Sequence, residues 1–311
     1  MPRIALATAV ASTGHDADLQ PLLQACAAAG LVAEVRAWDD QTVSWSRFDA
    51  VLLRSPWDYT ERLTEFLQWC THVSAQAVLL NPLPVVRWNT DKHYLLQLAA
   101  QGVAVVPSTF VEPGMEPLPT LEAFLAGSET SGAAAVDEFV VKPAVGAGSC
   151  DAQRYSRGQE FAAANHIARL LDAERSVLLQ PYLPAIDFEG ETALVHFNGT
   201  FSHAVRKAPL LQPDGVATSH VATPDVITAR TPAADELALA ALALDAVSAL
   251  LELTTPLAYA RVDLIRDTDG APRLLELELC EPALFFAHAP GSADRFVQVL
   301  RDALAAELPP N

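Results

Sequence analysis

The chain has 311 residues, 51% of them apolar and 19% charged, which is long enough for two or three domains with their own cores and too apolar for disorder. Its formal net charge is −18. Such a field repels nucleic acid and anionic membranes, so neither is expected as a partner.

Residues 1–90 alternate strand and helix, which predicts a small parallel α/β domain. Ile4–Val10, Val32–Trp38, Phe48–Leu53 and Ala77–Leu80 read as strands. Leu19–Ala29, stopped by Gly30, and Glu61–His72 read as helices. The opening Met1-Pro2-Arg3-Ile4 puts one basic residue before a short apolar run and reads as a first buried strand, not a signal peptide. In sheets of this kind ligands sit beyond the C-terminal strand ends. Ser12, His15 and Asp16 after the first strand, and Ser55, Trp57, Asp58 and Tyr59 after the third, occupy that edge.

Residues 91–137 read as a connector. Thr90 stands as the N-cap of a helix running to Ala100, with Lys92 in its first turn and Gly102 beyond its end. Val103–Val111 reads as a strand, and 112–137, rich in Pro, Gly, Ser and Ala, as a helix-bearing linker. Residues 138–183 read as a lid lobe: strand 138–143, a glycine loop, a short strand Arg154–Ser156, a helix over 159–172 and a strand Val177–Leu183. Residues 184–311 form the last lobe. It opens with a hairpin, Gly190–Phe197 and Phe201–Lys207, about an Asn198-Gly199 turn. A loop over Leu211–Thr223, an Ala/Leu-rich core helix over Pro232–Leu253, a second hairpin and a helix near Ala293–Glu307 follow.

The second hairpin carries the strongest chemical signal. Two apolar runs, Leu257–Asp267 and Pro272–Leu279, flank Thr268-Asp269-Gly270. Residues two apart on a strand share a face. Arg261 with Asp263, and Glu276 with Glu278, therefore bring three carboxylates and a guanidinium to one patch if the register aligns them. Crowded carboxylates repel unless a cation sits among them, and hard oxygen ligands favour Mg²⁺, which commonly also takes oxygens from a phosphate. The alternative is a solvated polar strand face.

A second segment points the same way. Glu138–Pro143 is a short apolar strand bearing Lys142, followed at once by Ala144-Val145-Gly146-Ala147-Gly148-Ser149. Small residues let backbone N–H groups approach an anion, and the lysine adds a point charge for phosphate. The pattern is neither a P-loop nor a G-x-G-x-x-G fingerprint, and a strand running into a mobile loop is the plain alternative. The chain has no H-E-x-x-H, no Cys/His zinc spacing and no legible Ser/His/Asp order. Its four cysteines, Cys26, Cys70, Cys150 and Cys280, make no C-x-x-C pair or disulfide framework and fit a reducing cytoplasm. No apolar run reaches the roughly 18 residues that span a bilayer.

A strand lysine with a flexible glycine loop, then R-x-D, then two ligand residues spaced by two, resembles the ATP-grasp superfamily. The resemblance covers nearly the whole chain. It narrows to the O-ureido-D-serine cyclo-ligase group of cycloserine biosynthesis through Arg54–Tyr59, Asn81-Pro82, Arg87–Lys92, Gln180-Pro181-Tyr182, His203–Lys207 and Glu276–Pro282. It departs where many ATP-grasp ligases carry Asn at the position of Glu278.

The resemblance implies an α/β ATP-grasp fold: an N-terminal domain, a lid lobe and a catalytic lobe with ATP between the last two. It implies ATP and Mg²⁺ as cofactors and a small amino-acid-like substrate whose carboxylate is activated as an acyl phosphate. Lys92, Lys142, Gly146, Gly148, Ser149 and Lys207 would hold phosphates, with Asp263, Glu276 and Glu278 on the metal. Gln180, Tyr182 and Leu183 would flank adenine, and Asp187 or Glu191 is the ribose candidate, Asp187 being equally readable as a solvated loop carboxylate. Arg261 would stabilise the transferring phosphoryl group. Arg206 would sit nearer the substrate carboxylate than Lys207, since neighbours on a strand face opposite ways. Ser55, Trp57, Asp58, Tyr59 and Glu281 are the substrate-side candidates, with Asp58 suited to an ammonium and Glu281 to substrate or a second metal. His203 is a candidate base or an ordinary strand histidine. An intermolecular amino-acid or peptide ligase, or a small-molecule kinase on the same lobes, stays open, as does a homo-oligomer.

Overall fold

The N-terminal alternation of strand and helix folds into a four-stranded parallel sheet, order β2-β1-β3-β4. The computed structural model describes residues 2–12, 14–127, 135–211 and 227–307. The strands are β1 (Arg3–Thr8), β2 (Val32–Ala37), β3 (Ala50–Ser55) and β4 (Val78–Leu80), with helices α1 (Leu19–Ala28) and α2 (Leu63–Ser74). Period-two alternation sets the layers. Ile4 and Leu6 pack with Leu22 and Cys26 of α1. Ala5 and Ala7 face the other way, toward Phe66 and Cys70 of α2.

Two short helices follow, α3 (Leu83–Asn89) and α4 (Tyr94–Ala100). The single helix expected from Thr90 does not form. Thr90 instead closes α3, its N–H bonding Val86 O at 3.1 Å, and Lys92 lies in the connection between the helices. The predicted strand Val103–Val111 divides between two sheets. Val105 bridges Leu274 in the main lobe, while β5 (Thr109–Val111) pairs with β8 (Val177–Pro181) of the lid.

The lid sheet therefore has four antiparallel-paired strands, order β5-β8-β6-β7, with β6 (Glu138–Pro143) and β7 (Gln153–Ser156). Helices α5 (Pro117–Ala126) and α6 (Glu160–Asp172) cover one face through Leu121, Leu125, Ile167 and Leu170. Within 91–137, α4 packs on the main lobe, whereas β5 and α5 pack in the lid.

After α7 (Ile186–Glu189), the main lobe is a five-stranded sheet, order β11-β10-β9-β12-β13. Its strands are β9 (Glu191–Phe197), β10 (Thr200–Lys207), β11 (Ile227–Arg230), β12 (Tyr259–Arg266) and β13 (Pro272–Glu278), backed by α8 (Ala234–Leu250) and followed by α9 (Ser292–Glu307). The Asn198-Gly199 turn has φ of 49° and 71°, as a type I′ turn requires. The predicted loop Leu211–Thr223 lies, but for Leu211, outside the described residues. Among the described residues no helix is long and apolar enough to cross a membrane.

Candidate active site

The second hairpin has the register that gathers its charges. Arg261 is paired with Glu278, and Asp263 with Glu276. Between Asp263 and Leu264 the register jumps by two, leaving Leu275 as an extra residue on β13. This bulge decides which residues face the site. By simple alternation Leu274 and Glu276 would share a face. The extra residue instead sends Leu274 and Leu277 into the α8 core and leaves Glu276 and Glu278 on the opposite side.

That side also receives Glu191 and Lys207, which are paired across β9 and β10. Lys207 Nζ donates to Asp263 Oδ2 at 2.9 Å and pairs with Glu191. Arg261 grips Asp263 with Nε and Nη2, both at 2.8 Å to their nearer oxygens, and Nη2 also meets Glu278. Lys92 Nζ lies 3.0 Å from Glu276 and donates to Gly146 O at 2.8 Å. Its N–H bonds Ala144 O, so the coil between α3 and α4 ties the glycine loop to the acidic strand. Lys142, half-buried on β6, belongs to the same field of charge.

The protonation states follow from this crowding. Burial draws the Lys142 ammonium below its usual value, against the pull of Glu276. Burial would raise the Asp263 carboxyl, but Arg261 and Lys207 hold it below the usual range. Glu276 is likewise held low, against burial, by Lys92 and Lys142. Burial lifts Glu191 and Glu278 to about 7, only partly opposed by Lys207 and Arg261 respectively. Glu281 is lifted to about 8 by burial and by Glu278. The cluster matches Asp263, Glu276, Glu278 and Glu191 with Arg261, Lys207, Lys92 and Lys142, and its hard carboxylate oxygens are donors that suit a divalent cation. Its carboxylate oxygens are now engaged by lysine and arginine. Among the described residues no three acids form a ready-made cage.

The edge of β13 is closed by side chains. Asn89 accepts from Leu279 N–H at 2.7 Å and donates to Leu277 O at 2.8 Å, and Tyr94 Oη accepts from Leu277 N–H at 2.9 Å. Asn81 donates to Tyr259 O and Leu279 O and accepts from Ala258 N–H, joining the N-terminal domain to the hairpin. The motifs Asn81-Pro82 and Arg87–Lys92 thus include residues that hold β13 in place.

The glycine loop turns through positive φ at Gly148 (61°) and Ser149 (58°). Its far end is anchored where Asp151 accepts from Arg169 at 2.8 Å and Arg175 at 2.7 Å. Near the end of β8, Gln180 is buried and bonds Ser108. Tyr182 donates to Asp187, and both meet Arg154, whose guanidinium lies 3.5 Å from the Tyr182 ring centre and pairs bidentately with Glu138. Asp187 is therefore ion-paired while still exposed to solvent. Arg154 was not singled out from the sequence, since one arginine on a short strand carries no signal of its own. Leu183 is buried beside Val106 and Ile265.

Arg206 does not join the site. It is paired with Thr192, whose hydroxyl bonds Glu236 on α8, so it stands on the face away from Lys207. Its guanidinium donates to Glu189 O at 2.6 Å and Phe188 O at 3.2 Å, at the end of α7. His203 is held by Leu284 O at 2.7 Å and Ser202, the ordinary strand role.

On the N-terminal edge, Ser55 is fully buried and donates to Thr8 Oγ1 at 2.9 Å. Asp58 accepts from Trp38 Nε1 at 2.8 Å and from Arg62 at 3.0 Å. An ammonium at Asp58 would have to share it with Arg62. Trp57 is half-exposed, and Tyr59 is buried against Phe66 with its hydroxyl bonded to Glu281. Tyr59 and Glu281 thus join the N-terminal edge to the acidic hairpin.

Comparison with known proteins bears on the family and the fold. A family profile described as D-cycloserine synthetase DcsG, N-terminal domain, matches residues 4–81. The chain is 47% identical, over 97% of its length and 98% of the relative's, to the cycloserine biosynthesis protein DcsG of Streptomyces lavendulae. The chain belongs to the DcsG family of ATP-grasp ligases. It superposes on the crystal structure of D-cycloserine synthetase DcsG with a TM-score of 0.91, covering 97% of this chain and 99% of that one. The ATP-grasp ligase PsnB, in a complex with Mg and ADP, shares the fold at 18% identity and a TM-score of 0.62, covering 97% of this chain and 98% of its own. The protein is accordingly an ATP-dependent ligase with the ATP-grasp fold.

Proposed function

We propose that this enzyme uses ATP and Mg²⁺ to close O-ureido-D-serine into the five-membered ring of D-cycloserine, in a reducing cytoplasm and with no nucleic-acid or membrane partner. The observation that carries the reading is the 47% identity to DcsG across 97% of the chain, which takes in the substrate-side N-terminal domain as well as the two ATP-grasp lobes. The hard carboxylate oxygens gathered on the acidic face support a metal there.

In this reading Lys92, Lys142 and Lys207 hold phosphate oxygens, and the loop through Gly146, Gly148 and Ser149 covers them. Gln180, Tyr182 and Leu183 flank the base, with Asp187 fixing Tyr182. Asp263, Glu276 and Glu278 would hold Mg²⁺, which would neutralise phosphate charge. Trp57 and Glu281 wall the substrate side, while Ser55 and Tyr59, both buried, support that edge from within.

The substrate carboxylate attacks the γ-phosphorus and ADP leaves, forming an acyl phosphate. Arg261, freed from part of its hold on the acids, stabilises charge on the transferring group and on the tetrahedral intermediate. The oxygen-linked ureido nitrogen attacks the acyl carbon and phosphate departs. Water then cleaves the carbamoyl group, releasing carbon dioxide and ammonia.

The test is incubation with ATP, Mg²⁺ and a panel of D-amino acids including O-ureido-D-serine, following ADP and identifying products by mass spectrometry. ADP release with appearance of the ring is expected. An amide joining two molecules would retain the ligase and reject ring closure.

A further inference from the structure

The acidic hairpin is followed by a loop that the N-terminal domain holds by its backbone. Asp18, 5% exposed, accepts three successive backbone N–H groups: Leu284 at 2.6 Å, Phe285 at 3.1 Å and Phe286 at 2.9 Å. Successive N–H groups of this kind form an anion-binding nest, here filled by a carboxylate of the same chain. Phe285 sits at φ 55°, ψ 39°, a left-handed conformation that a bulky residue rarely adopts unless its surroundings impose it. Arg54 completes the arrangement. It is fully buried, donates to Pro282 O at 3.0 Å, and lies 3.4 Å from Asp16 and 3.5 Å from Asp18.

What this loop touches gives the latch its consequence. Ala283 O accepts from Arg261 Nη1 at 3.3 Å, and the Phe285 ring lies 5.3 Å from the Arg261 guanidinium. Glu281, bonded to Tyr59, is on the same segment. Arg261 is thus set on one side by Asp263 and Glu278 and on the other by a loop whose shape depends on Asp18.

We infer that Asp18, with Arg54, is a positioning residue that sets Arg261 and the Glu281 loop across the domain boundary, acting on the chemical step and leaving nucleotide binding alone. The inference rests on the proposed role of Arg261. The lysines proposed to hold phosphate lie on β6, β10 and the α3–α4 connection, and none of the latch contacts involves them. Loss of the latch therefore shifts the guanidinium without removing a phosphate contact.

Asp18→Asn keeps the shape and loses the charge, and Asp18→Ala removes the acceptor. In both, hydrogen exchange at the amides of 284–286 should quicken. ADP affinity with Mg²⁺, measured by calorimetry, and KM for ATP should stay within about twofold, while kcat falls roughly tenfold to a hundredfold, the scale of a small misplacement of a reacting group. Faster exchange with unchanged kcat would overturn the positioning role, and unchanged exchange would overturn the latch itself. A fall in ADP affinity matching the loss of kcat would reduce Asp18 to a general structural part. If the wild-type enzyme makes an amide instead of the ring, kcat is read on that product, so failure of the ring-closing assignment remains distinct from failure of the latch.

Discussion

Arg261 stands directly opposite Glu278 across the β12–β13 pair and divides its guanidinium between Glu278 and Asp263. The same groups proposed to meet metal and phosphate are therefore matched to one another. On the proposed function, binding would be an exchange of partners, phosphate taking the lysines and arginine and a cation the acids. This keeps a dense set of like charges folded without ligand, since each acid lies beside a base.

Asp263→Asn and Glu276→Gln should preserve the fold and cut amino-acid-dependent ADP release by roughly a hundredfold, the scale of losing a charge-stabilising group. Both side chains keep their shape and lose only charge. Turnover within a few-fold of wild type in both, at saturating Mg²⁺, would make the hairpin a structural ion network only.

Lys142→Ala should weaken ADP binding with Mg²⁺ by about ten- to a hundredfold, the range expected for one charge-assisted hydrogen bond. Arg206→Ala is the matched control. Because Arg206 faces the end of α7, it should leave both ADP affinity and substrate KM within about twofold. A large rise in substrate KM for Arg206→Ala would restore the clamp that the strand geometry removes.

The raised acids predict a pH dependence of the ligand-free protein. Glu191 and Glu278 titrate at about 7 and Glu281 at about 8 when folded, well above the roughly 4.3 of an unfolded glutamate. Between those values the folded state binds more protons, so their contribution to stability falls as pH rises. The buried histidines His166 and His196 and the half-buried His203 have lowered values and act oppositely, but their contribution is largely complete above about 6.5, and Lys142, also lowered, opposes the fall as one group against three acids. The melting temperature should therefore fall from pH 7 to 8.5, and Mg²⁺ with ADP should flatten the fall. A melting temperature that rises over this window in the ligand-free protein would contradict the protonation states assigned to the site.

Substrate labelled with ¹⁸O in its carboxylate should deliver one labelled oxygen to the released phosphate, because the acyl phosphate breaks at its acyl carbon. The measurement is mass spectrometry of the phosphate. Unlabelled phosphate would reject carboxylate activation and favour transfer to a hydroxyl.

The sequence by itself determined the elements and the chemistry they carry. Alternation at residues 1–90, Asn198-Gly199, and the charged pairs spaced by two on β12 and β13 are local patterns, fixed by strand periodicity and turn conformation. They sufficed to put Arg261 with Asp263 on one face of β12 and Glu276 with Glu278 on one face of β13, the register that joins the two pairs being left open, and the same rule put Arg206 and Lys207 on opposite faces without saying which faces the site. The tertiary structure decided that in favour of Lys207, because the pairing of β10 with β9 sets Lys207 beside Glu191. It also decided the Leu275 bulge, without which Leu274 would share the face of Glu276. Lys92 left its expected helix to tie Gly146 to Glu276, and Asp18 reached across 266 positions to Leu284. Each of these depends on which distant backbone offers a partner to a buried polar group. Burial makes that partner obligatory, yet no local pattern names it.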